Sequence, residues 1–362
     1  MMEGMLDRAL TQRIANAVSR STTKPGEPPP PKLSGDLVAI CTDAQLRVVT
    51  YTGLKPATAL PIPEFVERRD WIAANVASMG AILDPIADRL ASAGGSGGLA
   101  KALAGPARGA TSALLSAEAG ALTGYLSQRV LGQFEFVIVD PKAPARLLFV
   151  APNIAAAAVR LKADPEELLT WIAFHEVTHA VQFTAVPWLR EHLAGLLGEL
   201  LESLELKVDP KLLLRLPAVD DVREWAAAAR EGGLVAALGG PRRRELLERV
   251  QTVMSVVEGH AEHVMDVVGA QALPSLDELR AALDRRRSER PPLLALLERL
   301  IGLEAKMRQY EDGKRFCDAV AAATGSAGLH RVFDSPESLP TVAELHDPDA
   351  WMRRMDLHAL AT

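Results

Sequence analysis

Residues 174–183 read FHEVTHAVQF. His175 and His179 are four positions apart, so on an α-helix they lie on one face about one turn from each other and can present their imidazole nitrogens to a single point. That point suits a metal ion. In the His-Glu-x-x-His pattern two neutral histidines ligate zinc, while the intervening Glu176 is not a ligand and serves as the base toward a metal-activated water. With eight histidines in 362 residues, the coincidental expectation for this pattern is on the order of 0.01 per chain. The neighbours Trp171, Ile172, Phe174, Val177, Val181 and Phe183 make the helix apolar almost all round. Such a helix is buried, and buried charge must be paired or coordinate a metal.

Glu176 and His179 also form Glu-x-x-His, one half of the di-iron carboxylate pattern, which needs a second copy on another helix. The other long helix lacks it: Glu258 is followed three positions later by Ala261, and Glu262 by Met265. A mononuclear Zn2+ site fits better. Catalytic zinc keeps three protein ligands and one open position, so a third ligand must come from elsewhere. The stretch EGHAEH, residues 258–263, is the other cluster of ligand-type side chains in an apolar helical setting. It offers Glu258, His260, Glu262 and His263.

The segments WIAFHEVTHAVQFTAVPWLREH and SVVEGHAEHVMD, with VLGQFEF, FVAPNI, KMRQYEDGKRF and PESLPTVAELHDPDAW, resemble the bacterial zincin-like metallopeptidases of type 2. That family is defined chiefly by its zinc motif, and the resemblance runs from about residue 36 onward. It implies a helical zincin-like metallohydrolase domain whose first motif is His175, Glu176 and His179. By analogy with glutamate zincins it also implies a glutamate on a later helix as third ligand. Glu258 is the expected ligand and Glu262, one turn along the same face, its support through a hydrogen bond to a ligating histidine. The gap between His179 and Glu258 is longer than in other glutamate zincins. The implied activity is zinc-dependent hydrolysis of a peptide or protein substrate, with a metal-stabilised scaffold of negligible turnover as the alternative. Tyr310, His192 and His263 are candidate donors to a tetrahedral oxyanion. Trp188 is a candidate cleft residue, and His330, His346 and His358 have no companions.

The elements that must position these residues are mostly helical, because alanine and leucine are abundant and aromatics make up 4% of the chain,. The expected fold is mainly α (α+β), with a small β hairpin or sheet near the metal helix. For that helix Asp164 supplies an N-cap, Pro165 a first-turn residue and Glu166 and Glu167 favourable charge, and it should end near Ala185, before Pro187. QFEFVIVD and ARLLFVAPNI read as a hairpin just before it, and the helix carrying EGHAEH spans about 243–269. DLVAICTDAQLRVVTYTG reads as a hairpin or a strand and turn. From Pro63 to about Leu131 the periodicity is helical, broken near Pro85 and through GGSGG. FDSPESLPTVAELHDPDAW is expected to be loop-rich.

Residues 1–35 are expected to hold an N-terminal helix and a flexible proline-rich segment, with a single large domain over 36–362. The stretch 93–125 is rich in small residues but is interrupted by Lys101, Arg108 and Glu118, so it suits close helix packing rather than a membrane. A net charge of −6 without a basic stripe argues against nucleic acid. Cys41 and Cys317 are isolated thiols, and the N-terminus lacks the apolar run of a signal peptide, which points to the cytoplasm.

Overall fold

A computed structural model describes residues 6–20, 33, 35–92, 108–135, 144–202, 241–288 and 303–357. Most of the proline-rich segment, the GGSGG stretch, residues 141–143 of the turn PKAPA and His358 lie outside these residues. Among the described residues the chain is mainly helical with one small sheet. No described helix is long and apolar enough to cross a membrane. It divides into two compact units, with the boundary inside the metal-motif helix after Leu169.

The first unit holds α1 (Arg8–Arg20), α3 (Arg68–Ser92), α4 (Arg108–Leu126), α5 (Ala151–Leu161) and the three strands. Strands β1 (Pro63–Val66), β2 (Gly132–Glu135) and β3 (Arg146–Val150) form a sheet in the order β1-β3-β2. β2 and β3 are antiparallel, with Phe134 opposite Leu147, so the expected hairpin is present. β1 is an addition: it runs parallel to β3, with Phe65 opposite Phe149, where the sequence pattern suggests helix. Proline lacks an N–H and is confined to edge strands or strand starts, and Pro63 occupies both positions. The helix beyond it starts only at Arg68, and its backbone continues through Pro85, a residue that removes one helical hydrogen bond without ending the helix here.

The amphipathic N-terminal stretch belongs to this unit, since α1 packs on α3 and α4. Gly120 and Gly124 allow the approach: a Cβ at either would meet the backbone carbonyls of Thr11 or Ala15. Close packing is thus the use made of the small residues in α4. Ala15, Trp71, Ile72, Val76, Leu148 and Val150 close the core between helices and sheet.

The second unit holds α2 (Leu37–Thr52), most of α6 (Pro165–Ala185), α7 (Pro187–Glu202), α8 (Pro241–Ala272), α9 (Leu276–Ser288) and α10 (Leu303–His330). The hairpin, or strand and turn, expected over DLVAICTDAQLRVVTYTG is instead a helix. Leu37, Cys41, Ala44, Val48 and Thr52 are buried, a spacing of three and four that makes one helical stripe. Asp43 and Arg47 pair across one turn at 2.6 Å, and Gly53, with φ 67°, takes the left-handed conformation that ends the helix,. The expected C-terminal loop region is also ordered as short helices, α11 (Val342–His346) and α12 (Pro348–Arg354), preceded by two 3-10 turns. Thr341 and Glu344 form a capping box at α11, and Asp347 caps α12. Trp351 is fully buried against Phe316 and donates to the Ser338 carbonyl at 2.8 Å.

Candidate metal centre

Helix α6 is set by local signals. Asp164 Oδ1 accepts from the backbone N–H of Glu166 at 2.9 Å and of Glu167 at 3.0 Å, Pro165 opens the first turn, and the helix ends at Ala185, ahead of Val186 and Pro187. Its side chains Phe174, Val177, Ala180 and Val181 are wholly buried. Burial of that surface fixes the rotation of the helix, and with it the direction in which His175 and His179 point.

Helix α8 brings the carboxylate. It packs along α10, and the two backbones touch where Gly259 meets Gly313: a Cβ on Gly259 would fall on the backbone of Gly313 and Lys314, and one on Gly313 on the carbonyl of Ser255. Glu258 is thereby held one residue from a crossing that admits no side chain.

The ligating atoms of His175, His179 and Glu258 all lie within 4.8 Å of one another. His175 Nε2 faces His179 Nε2 at 3.2 Å, and Glu258 Oε2 is 3.7 Å from the first and 3.5 Å from the second. The rings meet edge to face. Two imidazoles facing through Nε2 need a shared proton or a cation between them. Burial pushes His175 down to about 4, aided by the neighbouring His179. Burial also opposes charge on His179, yet the Glu258 carboxylate outweighs it and, with Glu176 and Gln182, holds the ring up to about 9. The metal-free pair therefore carries one proton beyond its neutral state at neutral pH. Two imidazoles and one carboxylate converging in this way are a donor set that zinc takes, so these residues fit the ion. Glu176 is buried beside them, 7% exposed. It also faces α2: with burial as the main cause, its charge helps push the Cys41 thiol up to about 12.

Of the other EGHAEH residues, none joins that triad. Glu262 is half-buried one turn beyond Glu258. His260 is fully buried, and its Nδ1 accepts from Gln182 Nε2 at 2.9 Å. His263 is engaged at both nitrogens: Asp318 Oδ1 takes Nδ1–H at 2.7 Å, and the Tyr51 hydroxyl donates to Nε2 at 2.7 Å. Asp318 is further held by Lys314 at 2.6 Å. Both nitrogens of His263 are thus committed within the protein. His192 packs edge-on against Trp188, whose indole N–H donates to the Phe333 carbonyl at 3.0 Å. Tyr310 lies in α10, with its side chain outside the described ones. His330 stacks edge-on with Tyr51 and His260, while His346 Nδ1 donates to the Val342 carbonyl.

Gln182, Tyr51 and Asp318 were not among the residues read from sequence. Gln182 Oε1 accepts from His179 Nδ1 at 2.9 Å, so for His179 the hydrogen bond expected from Glu262 is made by this amide. Its signal was present: Gln182 stands three positions after His179, the spacing of neighbours on a helix face, as an amide within an apolar run. Tyr51 and Asp318 meet His263 from 212 and 55 positions away, and no local pattern marks such contacts.

The model of the zincin-like metallopeptidases matches residues 6–352. A crystal structure from Chloroflexus aurantiacus, described as that of a candidate hydrolase with a novel fold, is similar over 97% of this chain and 99% of its own, with 28% identity and a TM-score of 0.67. No curated protein matches the chain.

Proposed function

Because the chain belongs to the zincin-like metallopeptidase family, we propose that it is a zinc-dependent hydrolase of peptide bonds, with His175, His179 and Glu258 holding the metal and Glu176 acting as general base. The observation that carries this reading is the convergence of two imidazole nitrogens and one carboxylate oxygen within 4.8 Å, from residues that include both histidines of a His-Glu-x-x-His motif. A bound zinc ion supplies a Lewis acid for the scissile carbonyl and lowers the pKa of water. His175 and His179 serve as neutral ligands, so the proton that His179 holds leaves when the metal enters. Glu176 accepts the proton of the attacking water and returns it to the leaving amine, and its burial strengthens its electrostatic influence there. His192 and Tyr310 are the candidates for a donor to the oxyanion, since His263 has no nitrogen to spare. The substrate is a peptide or protein. The free, buried Cys41 and Cys317 accord with a reducing compartment such as the cytoplasm.

The test separates metal binding from turnover. Glu176→Gln is expected to keep zinc and thermal stability while losing hydrolysis of a peptide library by about 10² or more. Undiminished activity in the variant contradicts the assigned role of Glu176. Zinc-loaded wild type that cleaves no peptide contradicts the peptidase reading and favours a metal-stabilised scaffold.

A further inference from the structure

The hydrogen bonds around Gln182 impose an order of donors and acceptors. The Val257 carbonyl can only accept, so the amide atom 3.0 Å from it is the nitrogen of Gln182,. The amide oxygen then points the other way, 2.9 Å from His179 Nδ1, where it can only accept. His179 Nδ1 must therefore carry a proton, which leaves Nε2 as the nitrogen free to ligate once the proton it holds toward Glu258 in the metal-free form has left. The second N–H of the amide goes to His260 Nδ1 at 2.9 Å. Gln182 is wholly buried, so water does not compete for these bonds, and flipping the amide would set its oxygen against the Val257 carbonyl.

Resting on the zinc reading above, we propose that Gln182 is the positioning residue of the metal site: it fixes His179 in the Nδ1–H form, so that Nε2 is the ligating nitrogen, and it ties that ring to the helix supplying the third ligand. The tie is direct, because Val257 immediately precedes Glu258 in α8. One side chain thus sets both the tautomer of a ligand on α6 and the alignment of α6 with the backbone that carries the carboxylate. His260 completes the clamp. It accepts at Nδ1, which orients the amide from the side opposite His179 and explains an imidazole buried beside the triad without belonging to it.

Nitrogen-15 spectra of histidine-labelled, metal-free wild type, recorded above the His179 value of about 9 so that the ring is neutral, report which of its nitrogens is protonated without any variant. A proton on Nδ1 is the expected result, and a ring protonated on Nε2 alone overturns the proposal while leaving the zinc reading intact. Chelator-competition titrations with zinc then compare wild type, Gln182→Leu and Gln182→Glu. The leucine variant is expected to bind roughly 10–100-fold more weakly, the usual cost of losing such a partner. The glutamate variant still offers an acceptor to Nδ1–H and, with its other oxygen protonated in this buried setting, can donate toward the Val257 carbonyl as the amide does, so it is expected to recover part of that affinity,. Equal affinity in wild type and the leucine variant, or a glutamate variant no better than the leucine one, contradicts the proposal. Failure of wild type to bind zinc overturns the zinc reading instead.

Discussion

One proton separates the metal-free arrangement of His175 and His179 from a ligating one. His175 is neutral across the ordinary pH range, while His179 holds its proton up to about 9 because Glu258 sits 3.5 Å away. A metal ion must displace that proton. Zinc affinity is therefore expected to rise with pH, by up to about tenfold per unit between neutrality and the His179 value, and to level off above it. A pH series of competition titrations checks this, and a flat profile contradicts it. Glu258 has two roles in that balance, holding the proton in the metal-free form and donating an oxygen to the metal. Glu258→Ala is expected to lose zinc about as completely as His179→Ala, whereas Glu262→Ala, whose expected hydrogen bond to His179 is made by Gln182, should keep far more of its zinc affinity. Metal analysis of the three purified variants distinguishes these outcomes. Equal loss in the two glutamate variants would show that the third ligand is wrongly assigned.

Helices bring these residues together, and the crossing of α8 over α10 does so with the least tolerance. Gly259→Ala places a methyl group on the backbone of Gly313 and Lys314. The helices must separate, which we expect to cost about 1–3 kcal/mol and to lower zinc affinity by moving the adjacent Glu258; calorimetry and a zinc titration measure both. A substitution of wild-type stability and affinity would mean that the crossing is looser than described. For α6 the element-scale test is Asp164→Ala, expected to cost about 1 kcal/mol through two lost cap hydrogen bonds. How far each element could be read in advance follows from where its determinants lie. The limits of α6 were legible because Asp164, Pro165 and Pro187 act within a turn of themselves, and the spacing of His175 and His179 is fixed by helix geometry alone. Gly259 stands beside the expected ligand in EGHAEH, but no local pattern tells which backbone arrives there. Helix α2 was misread because ICTDAQLRVVTYT contains short β-branched runs. Its buried Cys41, Ala44, Val48 and Thr52 form a helical stripe that is evident once α2 is packed. β1 gains its hydrogen bonds from β3, more than 80 positions away, and the Gln182 clamp depends on Val257 and His260, so neither could be read from its own neighbourhood.

At the scale of the molecule, the proposed ligands come from α6 and α8, two helices of the second unit separated by a long stretch of chain. An ion that binds them in the folded state and finds no comparable site in the unfolded chain stabilises the fold by mass action, by about 2.7 kcal/mol at a free zinc concentration of 100 times the dissociation constant. Calorimetry with zinc and with chelator should therefore give different melting temperatures for wild type and the same temperature for His179→Ala. A zinc shift retained in that variant would place the stabilising ion elsewhere. The unit division bears on what can be inferred from similarity as well. The family match and the likeness to the Chloroflexus aurantiacus structure each span nearly the whole chain, so both units fall within the similar region, while the proposed chemistry resides in the second. The most direct measurement of the central claim is a crystal structure of the zinc-loaded protein with anomalous data at the zinc edge. The account predicts one zinc ion, bound by Nε2 of His175, Nε2 of His179 and a carboxylate oxygen of Glu258, with a further position open to solvent near Glu176. Two metal ions, or a zinc bound by His260, His263 or Glu262 in place of Glu258, would contradict it.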